Sequence, residues 1–364
     1  MCEMNLKNEN LYYIGGIVRD ELLGLKSLDI DLTYQGNAIE FAKNLPEIEI
    51  LQINEPFGTV KIKLADKEID IASTRSESYP QKGHLPKVSN IGCSLKEDIL
   101  RRDFTINALA KSTLTGEIVD YTGGLNDIKN KTLRILHDKS FIDDPTRILR
   151  ALKFSTRFGF DLNAHTQQLQ KNYLQNINYD MSYKRLKKEL IETFNLNSQT
   201  AFEKFINEGI YKLISPLDFP LPTINLENLI SKYKPSCPWI IYVGLLPDIS
   251  NLPLTKLEKK IVDDFNVLKQ NQPQSYFEIY KNFEKLNLES ILMYSTIDKV
   301  AVKNYLETLR HIKIQLTGKD LQKLGIQPSK SYQDCFDFVL KAKLLKPELT
   351  KAEELELAKD YFGG

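Results

Sequence analysis

The first part of the chain alternates short apolar runs with glycines, a pattern that is typical of strands and turns. Four β-rich runs stand out, at residues 11–14, 28–33, 59–64 and 68–72. From about Ser140 the apolar positions follow a helical period, and strand signals become rare. The pattern predicts an α+β protein, with an N-terminal mixed-sheet head followed by an all-α neck, body and tail.

Acidic residues interrupt two of these apolar runs. In SLDIDL, residues 27–32, Asp29 and Asp31 alternate with apolar residues, so a strand would place both carboxylates on one face. Asp70 has a similar setting in KEIDIAST. Solvated edge strands explain both patterns, and so does a metal site. Three carboxylates from neighbouring strands have the chemistry to hold two Mg²⁺ ions, which activate a hydroxyl and steer a leaving pyrophosphate.

A glycine turn precedes the acids. The apolar run at residues 11–14 meets Gly15 and Gly16 and then a helical pattern. Strand, glycine turn and helix let backbone N–H groups approach a phosphate, and the helix N-terminus favours negative charge. Arg19 can add a charge-assisted contact to a triphosphate. The alternative is a plain tight turn, with Arg19 paired to a neighbouring acid in solvent.

A third segment, EDILRRDFTINALA at residues 97–110, combines charged, polar and apolar positions. The pattern predicts a helix that starts near Arg102 and Asp103 and carries Asn107. Arg102 is then placed to contact phosphate or ribose, with Asp103 to cap or orient it. A surface salt-bridge cluster at a helix end is the alternative.

A fourth segment, DDPTRILRALKFSTRFGF at residues 143–160, predicts a helix with Asp144 as N-cap and proline at the first helical position. Asp144, Arg147 and Arg150 follow at three-residue steps along one side. A carboxylate beside a guanidinium complements the Watson–Crick edge of cytosine or adenine, which offer an amino group beside an acceptor, and disfavours uracil and guanine. A capping aspartate with an i,i+3 ion pair is equally consistent with the pattern.

Composition adds few constraints. The formal net charge of +1, from 49 basic and 48 acidic residues, argues neither for nor against a nucleic-acid partner. The longest apolar run, residues 239–246 between two prolines, is too short to span a bilayer, and the N-terminus lacks a signal-peptide pattern. We expect no membrane partner and a cytoplasmic location.

Taken together, the segments resemble the class II tRNA nucleotidyltransferase and bacterial poly(A) polymerase family of the polymerase β-like superfamily. The resemblance rests on five ordered motifs, at residues 15–31, 101–110, 120–136, 143–160 and, more weakly, 182–190. It implies template-independent addition of C and/or A, from CTP and/or ATP, to the 3′ end of tRNA. A strict A-adding enzyme that works with a second, CC-adding nucleotidyltransferase, or a poly(A) polymerase, remains as an alternative.

The resemblance also implies roles for single residues. Asp29 and Asp31 resemble the metal-binding catalytic pair, to which the strand pattern adds Asp70 as a third catalytic carboxylate. The predicted nucleotide-binding set consists of Gly15, Gly16, Arg19, Arg102, Asp103, Asn107, Asp144, Arg147 and Arg150. Lys153 departs from the family, since it stands where some members have a further arginine.

Three functional regions follow from the resemblance. Residues 1–137 correspond to the nucleotidyltransferase head, residues 138–197 to a neck that selects the nucleotide, and residues 198–364 to a body and tail that bind the acceptor stem and elbow of tRNA. The segment at residues 75–86 resembles a flexible loop that relatives use in switching nucleotides. An inactive RNA-binding relative would not need the intact acid pair, and an antibiotic-modifying nucleotidyltransferase would not explain the helical remainder.

Overall fold

The computed structural model describes residues 6–27 and 29–363. Its strands are β1 (Leu11–Ile14), β2 (Asp31–Tyr34), β3 (Ile48–Asn54), β4 (Thr59–Leu64), β5 (Lys67–Ser73), β6 (Arg75–Ser78), β7 (Lys87–Ile91), β8 (Leu109–Ser112), β9 (Ile118–Asp120), β10 (Thr132–Leu133) and β11 (Asp161–Leu162). The helices interspersed with these strands are α1 (Gly16–Leu22), α2 (Ala38–Lys43), α3 (Leu95–Leu100), α4 (Gly124–Lys129), α5 (Ser140–Asp143) and α6 (Thr146–Phe158).

The rest of the chain is helical. Its helices are α7 (Ala164–Gln175), α8 (Tyr183–Phe194), α9 (Gln199–Asn207), α10 (Leu226–Tyr233), α11 (Pro238–Val243), α12 (Lys256–Gln270), α13 (Tyr276–Phe283), α14 (Leu288–Tyr294), α15 (Lys299–Glu307), α16 (Gly318–Lys323), α17 (Ser331–Leu345) and α18 (Lys351–Gly363). The predicted α+β class, a mixed-sheet head followed by helices, is confirmed. In the described part of the chain, no helix is long and apolar enough to cross a membrane.

A seven-stranded sheet forms the centre of the head, in the order β3-β4-β5-β2-β1-β8-β9. The sheet is mixed because β2 and β5 run parallel while the other neighbours run antiparallel. Apolar side chains of its central strands, including Leu11, Leu32, Ile62 and Ile71, pack with α2. The parallel pairing places Asp31 directly opposite Asp70, which brings two of the predicted acids to neighbouring positions.

Three local predictions differ from the structure. The predicted strand at 28–33 begins only at Asp31, so Asp29 precedes the strand instead of sharing a face with Asp31, and Leu28 lies outside the described residues. The predicted helix from Asp103 to Ala110 is wrong: a 3₁₀ turn at Thr105–Asn107 leads into β8. The helix after Asp144 begins one residue later than predicted, at Thr146, and the Asp144 carboxylate accepts a hydrogen bond from the Thr146 backbone N–H at 3.2 Å.

The chain divides into two compact units. The first contains Met1–Phe219 with Ser250–Pro253, and the second contains Pro220–Ile249 with Leu254–Gly364. The predicted head and neck, residues 1–137 and 138–197, fall together in the first unit. The functional boundaries at 137 and 197 stay predictions.

Candidate active site

A cavity of about 840 Å³ in the first unit brings most of the predicted site residues together. Its walls come from the glycine turn, the start of β2, the adjoining middle of β5, the segment before β8, and α6. Nine of the predicted residues line it, namely Gly15, Gly16, Arg19, Asp31, Asp70, Arg102, Asp103, Asn107 and Arg150. Segments that are distant in sequence therefore form one site.

The glycine turn has a backbone that requires glycine at its first position. Gly15 has φ 72° and ψ −120°, and its N–H donates to the Leu109 carbonyl at 3.1 Å. An added Cβ at Gly15 would lie 3.2 Å from Arg102 Nη1, whereas one at Gly16 would meet only Arg19 Nη2, at 3.5 Å. Gly16 thus leaves open space beside a guanidinium, where the backbone can approach an anion.

Arg19 is buried and held by several groups. It donates two hydrogen bonds to one carboxylate oxygen of Asp20, at 2.9 and 2.7 Å, and a further one to the Asn107 amide oxygen. Its guanidinium carbon also lies 5.3 Å and 4.5 Å from the ring centroids of Phe154 and Phe158. Burial lowers the pKa of Arg19, although Asp20 opposes that effect. These contacts fix the guanidinium against Gly16 and leave it few free N–H groups.

The acids occupy different environments. Asp31 is half-buried and lines the cavity with Asp70, whereas Asp29 is exposed and is absent from the described cavity wall. The Asp70 carboxylate accepts a 2.8 Å hydrogen bond from Lys61 Nζ. Burial raises the pKa of Asp31, and the negative charges of Asp70 and Asp29 raise it further. Asp31 therefore has a deficit of positive charge around it.

This donor set fits a divalent cation with oxygen ligands. Mg²⁺ takes carboxylate oxygens together with waters and substrate phosphates, and it is commonly held by one or two carboxylates. The unbalanced charge around Asp31 favours such an ion. Within residues 6–27 and 29–363, no three Asp, Glu, His or Cys side chains are arranged to hold a metal ion on their own. Asp31 and Asp70 thus suit a cation that completes its coordination with oxygen atoms of water or of a bound ligand.

A network of charged groups forms the wall next to the acids. Arg102 pairs with Asp98 at 3.0 Å, and its buried Nε has no hydrogen-bond partner within the described residues. Asp103 accepts from Arg150 at 2.6 Å and from the Asn107 amide at 3.1 Å. Burial acts to raise the pKa of Asp103, but the charges of Arg150 and Arg147 outweigh it and lower this pKa to about 2. Arg102 thus keeps one buried N–H without a partner within the described residues, while ion pairs hold its own Nη2 and the neighbouring Asp103 and Arg150 in place.

Asp144 and Arg147 line a second cavity of about 320 Å³. Both are buried, and protein groups occupy them: Asp144 pairs with Arg185 at 2.5 Å, and Arg147 donates to the Tyr79 hydroxyl at 3.2 Å. The two cavities share a common wall that consists of Arg75, Arg101, Arg102, Asp103 and Arg150. The acid–arginine pair predicted for base recognition therefore adjoins the acid-lined cavity, across a wall of five charged residues.

Sequence reasoning missed several partners. Lys61 lies opposite Asp70 across the β4–β5 pair, and that position was visible only once the strand register was known. Tyr79 belongs to the segment at 75–86, which begins as strand β6. Arg157 lies within the motif at 143–160, but its place on the cavity wall depends on how α6 packs.

Comparisons with known proteins agree with this architecture. Residues 11–134 match the poly A polymerase head domain. The chain is 47% identical over 165 residues to the A-adding tRNA nucleotidyltransferase of Aquifex aeolicus, a match that covers 44% of this chain and 20% of that protein. The A-adding enzyme of Geobacter sulfurreducens is 32% identical over 395 residues, which cover 96% and 44% of the two chains. The chain thus spans less than half the length of these two relatives.

Two further comparisons extend over nearly the whole of both chains. The A-adding tRNA nucleotidyltransferase of Halalkalibacterium halodurans is 29% identical over 385 residues, covering 97% of this chain and 89% of that one. The structure of the Thermotoga maritima CCA-adding enzyme complexed with tRNA_CCA superposes with a TM-score of 0.76 at 25% identity, covering 97% and 91%. The comparisons therefore identify a poly A polymerase head domain at residues 11–134, and the chain as a whole is similar to A-adding and CCA-adding tRNA nucleotidyltransferases.

Proposed function

We propose that this protein adds nucleotides, from ATP and/or CTP, to the 3′ end of tRNA without a template strand. The observation that carries the proposal is the 840 Å³ cavity, which joins a glycine turn, two facing acids and several arginines. In the reaction, the 3′-hydroxyl oxygen of the tRNA forms a bond to the α-phosphorus. The bond from the α-phosphorus to the β-phosphate oxygen breaks, the hydroxyl proton is released, and pyrophosphate leaves.

The residues of the cavity divide the work of holding the triphosphate. Gly16 gives the phosphates room to approach, and Arg19 and Arg102 supply positive charge beside them. Asp31, with Asp29 and Asp70 as further acids, would hold Mg²⁺ and the substrate in common. When bound, Mg²⁺ stabilises charge that develops on the transferred phosphoryl group and favours the ionised form of the attacking hydroxyl.

Base selection belongs to the second cavity. Asp144 accepts from an exocyclic amino group, and Arg147 donates to the neighbouring ring acceptor. Their present contacts to Arg185 and Tyr79 occupy the same hydrogen-bonding edges, so a base has to displace or share them. This arrangement favours adenine and cytosine over bases that present a carbonyl to Asp144.

We favour A addition within this class because the three relatives compared above are named as A-adding. Halalkalibacterium halodurans also has a CC-adding relative, 29% identical to this chain over 255 residues. A second nucleotidyltransferase that supplies the two cytidines is then the natural partner. Poly(A) polymerase activity is the remaining alternative and differs in its substrate RNA.

We include tRNA binding by residues 198–364 in this proposal, and the complex of a structural neighbour, the Thermotoga maritima CCA-adding enzyme, with tRNA_CCA supports it. The proposal has three further parts. The body and tail bind the acceptor stem and elbow of tRNA, residues 138–197 select the nucleotide, and the protein is located in the cytoplasm. Each of them depends on tRNA being the substrate.

A double variant, Asp29→Ala with Asp31→Ala, tests the proposal. Incorporation of labelled ATP or CTP into tRNA should fall to background, while tRNA binding, measured by filter retention, stays within about twofold because it depends on other surfaces. Asp161→Ala is the matched control, since its side chain is 90% exposed and does not line the cavity. Surviving incorporation in the double variant would contradict the assignment of the acids.

A further inference from the structure

Most basic side chains of the 840 Å³ cavity are already committed to protein partners. Five of them each donate at least two hydrogen bonds to protein acceptors: Arg19, Arg75, Arg101, Arg150 and Lys153. Most of these acceptors are carboxylates, so the five groups add little net positive charge to the cavity and have few N–H groups left for a ligand. A triphosphate needs donors that are free to turn towards it.

Arg157 differs from these five residues. It lies in the last turn of α6 and lines the cavity. Its side chain is 40% exposed, against 5% for Arg19. Within the described residues its contacts are one long ion pair, 3.5 Å from Nη2 to Asp20 Oδ2, and the ring of Phe158, 5.1 Å from its guanidinium carbon. These two contacts position the Arg157 guanidinium, and most of its N–H groups remain available to a ligand.

Asp20 connects this arginine to the glycine turn. One oxygen of the buried Asp20 carboxylate accepts from Arg19, and the other faces Arg157. Two guanidinium groups therefore share one carboxylate beside Gly16, which leaves a net charge of +1 in this cluster. Burial lowers the pKa of Arg19 and the charge of Arg157 lowers it further, so an anion bound near both would relieve their repulsion.

The position of Arg157 also separates it from base recognition. Arg157 lines the larger cavity and not the smaller one, whereas Asp144 and Arg147 line the smaller cavity and not the larger one. A ligand that contacts Arg157 does so with the part of the nucleotide that is remote from the base. The glycine turn and Arg19 point to the same part, which is the phosphate chain.

We propose that Arg157 binds the terminal phosphate of the incoming nucleoside triphosphate and keeps its contact with the pyrophosphate that leaves. The planar guanidinium matches two phosphate oxygens at once. Arg19 and Asp20 then act as positioning residues that aim Arg157 at the phosphate chain. This assignment rests on the proposed function, because it takes a nucleoside triphosphate as the ligand.

Binding of three ligands to Arg157→Ala tests the assignment. Equilibrium dialysis with ATP, pyrophosphate and AMP should show ATP and pyrophosphate bound about 10- to 100-fold more weakly than by wild type, the loss expected for a charged hydrogen-bonded contact. AMP, which lacks the terminal phosphates, should change by less than about twofold. Arg157→Lys keeps the charge and should recover part of the ATP affinity. Lys43→Ala, which removes an exposed charge on α2, should leave the binding of all three ligands unchanged.

Two results would overturn the assignment: unchanged ATP binding in Arg157→Ala, or equal weakening of ATP and AMP, which would indicate a structural role. Thermal unfolding of each variant shows whether it folds, and Arg157→Lys replaces Arg157→Ala if the alanine variant does not. The two proposals can fail separately. Wild-type protein that adds nothing to tRNA would contradict the proposed function, while a selective loss of ATP and pyrophosphate binding would still support the role of Arg157.

Discussion

The charge of Asp103 should stabilise the first unit in a pH-dependent way. Its carboxylate is buried, pairs with Arg150 at 2.6 Å and accepts from the Phe104 backbone N–H at 2.8 Å. Asp103→Asn keeps the shape and removes the charge, so the Arg150 guanidinium loses the nearer of its two ionised partners and keeps only Glu189, at 3.2 Å. The variant should therefore be less stable than wild type near neutral pH.

The magnitude follows from the lowered pKa. Arg150 and Arg147 outweigh the opposing effect of burial and lower the pKa of Asp103 from 3.8 to about 2. A difference of one pKa unit corresponds to about 1.4 kcal/mol, so the ionised form contributes about 2 kcal/mol. Because the folded-state pKa is depressed, this contribution is present above about pH 4 and is lost as pH falls towards 2. About half of it should remain at pH 3.

Amide hydrogen exchange is the suitable assay, because the single tryptophan, Trp239, lies in the second unit and does not report on the first. Exchange of α6 peptides in a urea series gives the unfolding free energy of wild type and Asp103→Asn at pH 7 and pH 3. The difference between them should shrink by about half. Asp161→Asn, with an exposed side chain, should stay within about 0.5 kcal/mol of wild type. A difference that is the same at both pH values would refute the reasoning.

Further variants test the glycine turn, base recognition and the loop. Gly16→Ala should have the melting temperature of wild type but bind ATP about tenfold more weakly, since its methyl group points into open space beside the phosphate site. Gly15→Ala should instead lose about 1–3 kcal/mol of stability in thermal melts, because φ 72° with ψ −120° is strained for alanine. Arg147→Ala should lower the preference for ATP over UTP about tenfold in incorporation assays while tRNA binding changes less; an equal loss of both would count against base recognition. Gly83→Ala should speed exchange of the 75–86 peptides, because its Cβ would lie 2.8 Å from the Asp180 carbonyl oxygen; unchanged exchange would show that the loop absorbs the methyl group elsewhere.

The alternation of apolar and polar residues predicted strands correctly where a turn residue marks the end of the strand. The runs at 11–14 and 59–64 coincide with β1 and β4, because a glycine stands directly beyond one end of each. The strand predicted at 28–33 starts too early, because the apolar–polar alternation includes Asp29, whereas the backbone pairing of β2 with β5 begins only at Asp31. The sequence shows where residues alternate, but it does not show at which residue pairing with a neighbouring strand begins.

The error at residues 103–110 has a similar cause. Ile106, Leu109 and Ala110 are fully buried, and their i, i+3, i+4 spacing suits one face of a helix. A 3₁₀ turn that leads into a strand buried on both faces gives the same apolar pattern. Only the pairing of β8 between β1 and β9 distinguishes the two.

The site shows where sequence reasoning reaches its limit. The motifs identified the residues on the cavity walls, because each motif carries its own chemistry. The partners of those residues depend on tertiary packing. The hydrogen-bonded pairs are Lys61 with Asp70, Arg185 with Asp144, and Arg147 with Tyr79. No spacing rule in a single sequence predicts that these side chains meet.

The most direct test of the proposed function uses three purified tRNAs, ending at the discriminator base, at C and at CC. Each is incubated with Mg²⁺ and ATP, CTP or both, and the products are resolved at single-nucleotide length. We predict addition of one A to the tRNA ending in CC, with ATP alone. Full CCA synthesis from the discriminator base would establish a CCA-adding enzyme of the same family and contradict strict A addition. No extension of any of the three tRNAs would contradict the proposed function itself.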